Sequence, residues 1–313
     1  MEPIKNILVC LDLSNTDKDL LTYARFIVNA AKKPEKIYFI NVLRHFYLPK
    51  DIHKDFPHLE ETVIKERKEE IRKDIDTFFS HIQKVDKEII VAEGSGLKTL
   101  LKVIDEKEID LVLIGRKNDG SGHGVLTLRM GRRCPVTLFI IPQGCDKKIA
   151  KELQKWNILI PVDFSNYALI AVQFAVSIAK NYRNTEIFCQ HVYSVPIGYH
   201  YTGKTHDEFA EIMKQNAKKK FKIFIKGCDC SGVKINDVYT LDDNENVVED
   251  IHNYAKKINA TGIIFSSKGM TATSSIFLGS TAEKLIKIDP EFPLLVVRKA
   301  GDYKGFMHLI KNI

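Results

Sequence analysis

Residues 158–165 read ILIPVDFS and decide the fold, because residues 7–14 repeat them as ILVCLDLS. Each stretch is a short apolar run, as expected of a buried strand. Two further pairs keep almost the same spacing: IYFINV at 37–42 matches IFCQHV at 187–192, and LVLIGRK at 111–117 matches GIIFSSK at 262–268. The chain therefore consists of two copies of one unit.

A fourth pair of apolar runs breaks this spacing. PVTLFIIP at 135–142 corresponds to PLLVV at 293–297, and alignment on their first prolines leaves them seven residues out of step with the other pairs. The second copy is therefore predicted to carry about seven more residues between its fourth and fifth strands.

Within each copy, short strand-like runs alternate with helical patterns, which is typical of a parallel sheet covered by helices on both faces. We expect an α/β protein of two tandem doubly wound domains, each with a five-stranded parallel sheet. The fold of each domain is expected to be flavodoxin-like or Rossmann-like, the latter of the adenine-nucleotide-alpha-hydrolase-like type. The predicted strands lie near 6–12, 36–43, 88–93, 109–115 and 135–142, and near 157–163, 185–193, 233–240, 261–266 and 293–298. The predicted domains are 1–145 and 153–300, with a polar linker near 143–155 and a tail at 301–313.

The helical patterns are amphipathic. Residues 58–83 place Ile71, Ile75, Phe78 and Ile82 at helical spacing on one predicted apolar stripe. In the second copy, helical patterns lie near 165–181, 206–226, 245–259 and 271–288.

Composition limits the class of protein. The chain has 313 residues, of which 44% are hydrophobic and 28% charged, and its net charge is +7. These values suit a globular protein and exclude collagens and mucins. No apolar run is long enough to cross a membrane, no secretory signal is visible, and the scattered cysteines suit reduced thiols, so we expect a cytoplasmic protein without a membrane partner. The basic excess is not gathered into a tail, and no nucleic-acid partner is expected.

Ligands of doubly wound sheets bind beyond the carboxyl ends of the strands, where the strand order reverses. In the second copy, the first strand ends at Pro161, Val162 and Asp163. The fourth ends at Phe265 and Ser266 and continues to Lys268 and Gly269; Gly279, Ser280 and Thr281 then open a helix. Glycines allow close approach of a ligand, and a helix N-terminus donates to phosphate oxygens. Asp163 could accept from a ribose hydroxyl or an adenine amino group.

This arrangement resembles the universal stress protein family, in tandem form over almost the whole chain. Nucleotide-binding members carry Gly-x2-Gly-x9-Gly-[Ser/Thr] after strand four, an Asp ending strand one and a strand two ending His-Val. Here the corresponding residues are Ser266, Gly269, Gly279 and Ser280, with Asp163, His191 and Val192; Ser266 departs from the first glycine. The resemblance implies that ATP, with or without Mg²⁺, binds in a stress response.

By the same resemblance, Asp163 contacts the nucleoside and the Val192 backbone contacts adenine. Gly269, Gly279, Ser280 and Thr281 cradle the phosphates.

The first copy fits this pattern less well. Asp12, Val42 and Gly115 are kept, but Asn118 replaces the second glycine and Gly131 is followed by Arg132. The glycine-rich stretch 120–124 could form an anion-binding nest. We expect instead a loop that was shortened after nucleotide binding was lost.

Other motifs compete with this interpretation. Residues 198–205, GYHYTGKT, match the P-loop pattern, so a phosphotransferase using Lys204 is one alternative, and His200 and Lys204 are candidate phosphate contacts in either case. Cys228 and Cys230 lack the further ligands of a structural zinc site, and no metal is predicted. The lysines of 218–226 suit a solvated helix face.

No general base and no serine-protease-like triad is evident, so catalysis is expected to be at most slow ATP hydrolysis or self-phosphorylation. The alternative from another class is a nucleotide-free interaction module with two vestigial sites. Residues 136–141 and 294–298 are predicted to pair within the chain, making an internal pseudo-dimer that could form a homodimer.

Overall fold

The computed structural model describes residues 4–30, 34–43, 55–82, 84–117, 124–145, 155–182, 184–269, 278–288 and 291–298. The strands are β1 (Asn6–Leu11), β2 (Lys36–Leu43), β3 (Asp86–Glu93), β4 (Leu111–Arg116), β5 (Thr137–Pro142), β6 (Trp156–Pro161), β7 (Thr185–Tyr193), β8 (Lys234–Leu241), β9 (Gly262–Ser266) and β10 (Leu294–Val297). The helices are α1 (Thr16–Ala30), α2 (Leu59–Phe79), α3 (Gly96–Glu106), α4 (Gly124–Arg133), α5 (Asn166–Ala179), α6 (His206–Phe224), α7 (Val247–Lys257) and α8 (Ser280–Ile288).

Each strand overlaps its predicted range, because short apolar runs between turn residues identify strands well. The stripe of α2 differs in two positions: its buried residues are Ile71, Ile75 and Phe79. Phe78 lies at the border of the core, and Ile82 lies beyond the end of the helix and is also only partly buried. Phe79 is four residues from Ile75 and so lies one turn along the same face. The predicted linker, the C-terminal tail and the start of the helix predicted at 271 fall largely or wholly outside the described residues.

The strands form one ten-stranded sheet in the order β3-β2-β1-β4-β5-β10-β9-β6-β7-β8. Each half has the order 3-2-1-4-5 with parallel neighbours. This is the Rossmann order rather than the flavodoxin order 2-1-3-4-5. The strand order therefore reverses between β1 and β4 in the first half, and between β6 and β9 in the second.

The two halves join through β5 and β10, which pair antiparallel and confirm the predicted pairing within one chain. Phe139 faces Leu295 at this junction, and the two are equivalent positions, so a pseudo-twofold axis passes between them. The alignment on prolines was wrong by two residues: it matched Leu294 with Val136, whereas the strand registers match it with Leu138. A slip of two keeps every side chain on its own face, so the apolar pattern cannot detect it.

The helices cover both faces of the sheet. Helices α1, α2, α5 and α6 enclose one apolar core, and α3, α4, α7 and α8 enclose the other; each core contains residues of both halves. On the first face, the Phe26 ring of α1 stacks on Trp156 at 4.6 Å between centroids, and Trp156 stacks on Tyr182 at 5.8 Å. The halves are therefore packed together as well as paired by strands. None of the helices in the described ranges combines the length and apolarity that spanning a membrane requires.

Candidate functional site

The switch point of the second half is the crevice between the carboxyl ends of β6 and β9. The two strands are paired, with Ile158 beside Gly262 and Leu159 beside Ile263. The chain leaves β6 at Pro161 and β9 at Ser266, so the segments that follow these strands emerge at the same edge of the sheet.

A tight turn after β6 holds Asp163 at this edge. One oxygen of its carboxylate accepts a hydrogen bond from the Ser165 backbone amide at 3.0 Å, and the Ser165 hydroxyl in turn accepts from the Ala168 amide at 3.1 Å, capping α5. Phe164, between them, has a left-handed φ of 64°, and Leu13 at the equivalent position of the first half has 58°. Both halves therefore use the same sharp strand-to-helix turn, a strained geometry that often accompanies function.

Gly269 lies beside this carboxylate, and Gly279 lies beside Gly269. A Cβ on Gly269 would be 2.7 Å from Oδ2 of Asp163, so the carboxylate is packed against the bare Cα of this glycine. The Gly279 amide donates to the Ser267 carbonyl at 2.9 Å, and a Cβ on Gly279 would be 3.9 Å from the Gly269 nitrogen. The structure thus brings Asp163 together with a pair of glycines that lies more than a hundred residues further along the chain.

Helix α8 begins directly after Gly279. Ser280 is exposed at its first position and Thr281 is half-buried. The unpaired amides of a helix N-terminus carry a partial positive charge and bind anions. This end of α8 therefore points donors into the same crevice as Asp163.

Ser266, which replaces the expected glycine, forms a hydrogen bond within its own segment. Its hydroxyl donates to the Lys268 carbonyl at 2.7 Å and so closes a turn of its own segment. The Lys268 side chain is buried, with Nζ 3.3 Å from the Tyr167 hydroxyl and 4.9 Å from the centre of the Tyr167 ring. Tyr167 was not predicted as part of the site, although it follows the Asp-x-Ser turn by two residues.

His191 has a structural role at the end of β7. Its Nδ1 lies 2.8 Å from the carbonyl oxygen of Val162, which can only accept, so Nδ1 carries the proton. Burial lowers the pKa of His191 and favours the neutral ring. Asn41 occupies the equivalent position in the first half and donates from Nδ2 to the Leu11 carbonyl at 2.9 Å. Both side chains tie the second strand of a half to the end of its first.

The remaining residues of the predicted site lie on or next to the strands around the crevice. Pro161 ends β6 and is half-buried. Val162 is buried and donates from its backbone amide to the Gln190 carbonyl at 2.8 Å. Val192 is half-buried on β7, and Phe265 is buried on β9.

In the first half, a lysine pairs with the aspartate that corresponds to Asp163. Lys117 Nζ forms an ion pair with Asp12 Oδ2 at 2.8 Å. The neighbouring Arg116 donates to the backbone carbonyls of Ile286 and Lys287 at the end of α8. Neither contact was predicted, and only the lysine that the two halves share after their fourth strand, Lys117 and Lys268, hinted at the first of them.

The glycines of the first half are also arranged differently. Gly131 lies near the end of α4 and packs against Ile286 of the other half, rather than at a phosphate loop. Gly124 is the residue that opens α4. Asn118 and the stretch 120–123 lie outside the described residues.

The P-loop-like segment 198–205 forms a different structure. Gly198 and Gly203 flank a short 3₁₀ turn, and Thr205 caps α6 in a capping box with Glu208. The Glu208 carboxylate accepts from the Thr205 amide at 2.8 Å, which places a negative group where a P-loop holds phosphate. The segment follows β7, one strand away from the switch point, and His200 and Lys204 are both exposed.

Within the described ranges, no group of three or more His, Cys, Asp or Glu side chains is placed to hold a metal ion.

Comparison with known proteins agrees with this architecture. The model of the universal stress protein family matches the chain twice, at residues 3–134 and 156–298. The chain belongs to the universal stress protein family. Universal stress protein MJ0531 of Methanocaldococcus jannaschii is 32% identical over 146 residues, which cover 46% of this chain and 82% of that protein.

Solved structures share the fold over nearly the full length. A universal stress protein from Archaeoglobus fulgidus superposes with a TM-score of 0.63 at 19% identity, covering 94% of this chain and 98% of that one. The Pseudomonas aeruginosa protein PA1789, of unknown function, gives a TM-score of 0.64 at 13% identity, covering 99% and 98%. At these identities the likeness establishes the tandem fold and not the ligand.

Proposed function

We propose that the second half of this universal stress protein binds an adenine nucleotide, ATP or a close relative, with or without Mg²⁺. The observation that carries the proposal is the meeting of Asp163, Gly269 and Gly279 at the switch point of the sheet. A pocket for a nucleotide needs an acceptor for the sugar or base beside donors for the phosphates, and this crevice has both.

Each part of the crevice has a chemical role in this proposal. The backbone amides around Gly269 and the first turn of α8 donate to phosphate oxygens, and Ser280 adds a hydroxyl that is already exposed. The second carboxylate oxygen of Asp163 accepts from a ribose hydroxyl or the adenine amino group. Pro161, Val162 and Val192 supply apolar surface and backbone groups for the base. The proposal is one of binding and assigns no catalytic residue.

The first half is proposed not to bind the nucleotide, because Lys117 neutralises the aspartate that corresponds to Asp163. We therefore expect one nucleotide per chain. A cytoplasmic location, a role in a stress response and the formation of a homodimer follow from the family resemblance and stay predictions.

Calorimetric titration with ATP and Mg²⁺ tests the site with matched variants in the two halves. Asp163→Ala should weaken binding by about 1–3 kcal/mol, whereas Asp12→Ala should leave the affinity unchanged. Gly269→Ala should weaken binding at least about tenfold, because its Cβ displaces the Asp163 carboxylate, and Gly124→Ala is the control because no atom lies within 4 Å of its new Cβ. Unchanged affinity in both second-half variants, or two nucleotides per chain, would contradict the proposal.

The same titration separates this site from the P-loop alternative. Lys204→Ala should cost no more than about 1 kcal/mol, because Lys204 is an exposed charge. Ser280→Ala should cost more, because its hydroxyl lies at the helix N-terminus in the crevice. Loss of binding in Lys204→Ala with full binding in Ser280→Ala would place the nucleotide at residues 198–205 instead.

A further inference from the structure

Two thiols lie side by side in the turn that joins α6 to β8. We call residues 228–233 the thiol turn. Cys228 and Cys230 are both partly exposed, whereas Cys134, Cys145 and Cys189 are buried. Only Asp229 separates the two in the sequence, so both lie in one short segment of the chain.

The backbone of the thiol turn brings the two side chains together. Sγ of Cys230 points back along the chain and lies 3.5 Å from the Cys228 carbonyl oxygen. The Asp229 carboxylate accepts from the Ser231 amide at 3.1 Å, and Val233 donates from its amide to the Cys230 carbonyl at 3.0 Å, so the chain turns directly after Cys230. Two consecutive Cα–Cα steps span at most about 7.6 Å, so a small change at Asp229 suffices to hold the Cα atoms within the range of about 4.4–6.8 Å that a disulfide requires.

The surroundings assign different roles to the two sulfurs. Burial, followed by the hydrogen bond with Cys228, raises the pKa of Cys230 to about 12, so Cys230 holds its proton near neutral pH. The carboxylate between them is paired with Lys180 Nζ at 2.7 Å, which offsets the negative charge that would repel a thiolate. Cys228 is thus the sulfur placed to react first, with Cys230 as the neighbour that follows.

We propose that Cys228 and Cys230 form a reversible dithiol–disulfide site that is oxidised by low-molecular-weight disulfides. The Cys228 thiolate attacks the S–S bond of such a disulfide and forms a mixed disulfide, releasing one small thiolate. Cys230 then loses its proton to solvent and attacks Sγ of Cys228, which forms the Cys228–Cys230 bond and releases the second small thiol. Two protein thiols are oxidised and one small disulfide is reduced to two thiols.

The site is also connected to the rest of the second half. The Gly227 carbonyl, just before the thiol turn, accepts from Nε2 of Gln173 in α5 at 2.9 Å. Phe224, at the end of α6, packs edge-on against Phe164 at 5.8 Å between centroids. A disulfide in the thiol turn would therefore form where α6 packs against α5 and against the turn that holds Asp163.

Trypsin offers a direct measurement, since cleavage after Lys226 and Lys234 releases a peptide, residues 227–234, that contains both cysteines and no other. The full-length, reduced protein is incubated with glutathione disulfide, alkylated, digested and analysed by mass spectrometry. We expect this peptide to lose about 2 Da and to resist alkylation, and to regain both alkylation sites after dithiothreitol treatment. The peptide of residues 134–147, which contains the buried Cys134 and Cys145, is the internal control and should remain fully alkylated.

Single variants test the order of the two steps. Cys230→Ser should accumulate a stable mixed disulfide at position 228, which adds about 305 Da. Cys228→Ser should form its mixed disulfide at least about tenfold more slowly, because Cys230 keeps its proton. The proposal is overturned if the wild-type peptide remains a dithiol while Cys228 is glutathionylated, if the disulfide forms only in denaturant, or if both variants react at the same rate.

Discussion

Asp17 is a buried carboxyl group whose environment should make the stability of the protein depend on pH. It lies in the first turn of α1 and is 4% exposed. Its two oxygens accept from the backbone amides of Asp12 at 3.2 Å and Leu13 at 2.8 Å. Burial raises the pKa of Asp17 to about 7; the carboxylates of Asp12 and Asp74 act in the same direction and the two amides oppose them.

The size and sign of the effect follow from this pKa. An aspartate in the unfolded chain has a pKa of about 3.9, so between about pH 4 and pH 7 the folded protein keeps a proton that the unfolded chain has released. The free energy of unfolding should therefore fall by up to about 1.4 kcal/mol per pH unit as the pH rises through this window, and by at most about 4 kcal/mol in total. This contribution is fully present below about pH 4 and is lost above about pH 7.

Asp17→Asn isolates this contribution. The amide is neutral at every pH but offers one oxygen to two backbone donors, so the variant should be about 1–3 kcal/mol less stable than the wild type at pH 5. At pH 8 the wild type holds a buried charge, and the deficit should disappear or reverse. Urea unfolding at pH 5, 6, 7 and 8 measures this difference, with Asp76→Asn on the exposed face of α2 as the control. A difference between wild type and Asp17→Asn that is the same at pH 5 and pH 8 would refute the reasoning.

Two further predictions concern packing within and between the halves. Arg132 of α4 pairs with Glu283 of α8 through two contacts of 2.6 and 3.1 Å, so Arg132→Glu should lower the free energy of unfolding by about 1 kcal/mol. The double variant with Glu283→Arg should restore it, as a double-mutant cycle in thermal unfolding measures. Equal losses in the single and the double variant would contradict a direct pair. Gly115→Ser should lower the free energy of unfolding in urea by about 1–3 kcal/mol, because a Cβ there would be 2.6 Å from Cγ2 of buried Thr16. The control, Ser266→Gly at the equivalent position, should cost no more than about 1 kcal/mol. An unchanged stability of Gly115→Ser would show that Thr16 can move aside.

The sequence alone determined the elements of this fold and their order. Strands and helices are local: an apolar run of a few residues or a helical stripe identifies each of them without reference to the rest of the chain. The repeat of ILVCLDLS as ILIPVDFS identified the two halves. Because an exposed edge strand is unfavourable, pairing of the two equivalent edge strands could also be predicted, and β5 and β10 form this pair. The residues around Asp163 were predicted as well, because they follow the ends of predicted strands and match the pattern of the family that the chain resembles.

What the tertiary structure decided depends on contacts between distant segments. The register of β5 against β10 could not be read from the sequence, because a shift of two residues preserves the faces of both strands. The ion pair of Lys117 with Asp12 could not be foreseen either, since Lys268 occupies the equivalent position of the repeat and yet lies against Tyr167. Local sequence determines the type of each element, but the partner that a long side chain reaches depends on the packing of elements that are about a hundred residues apart in the chain.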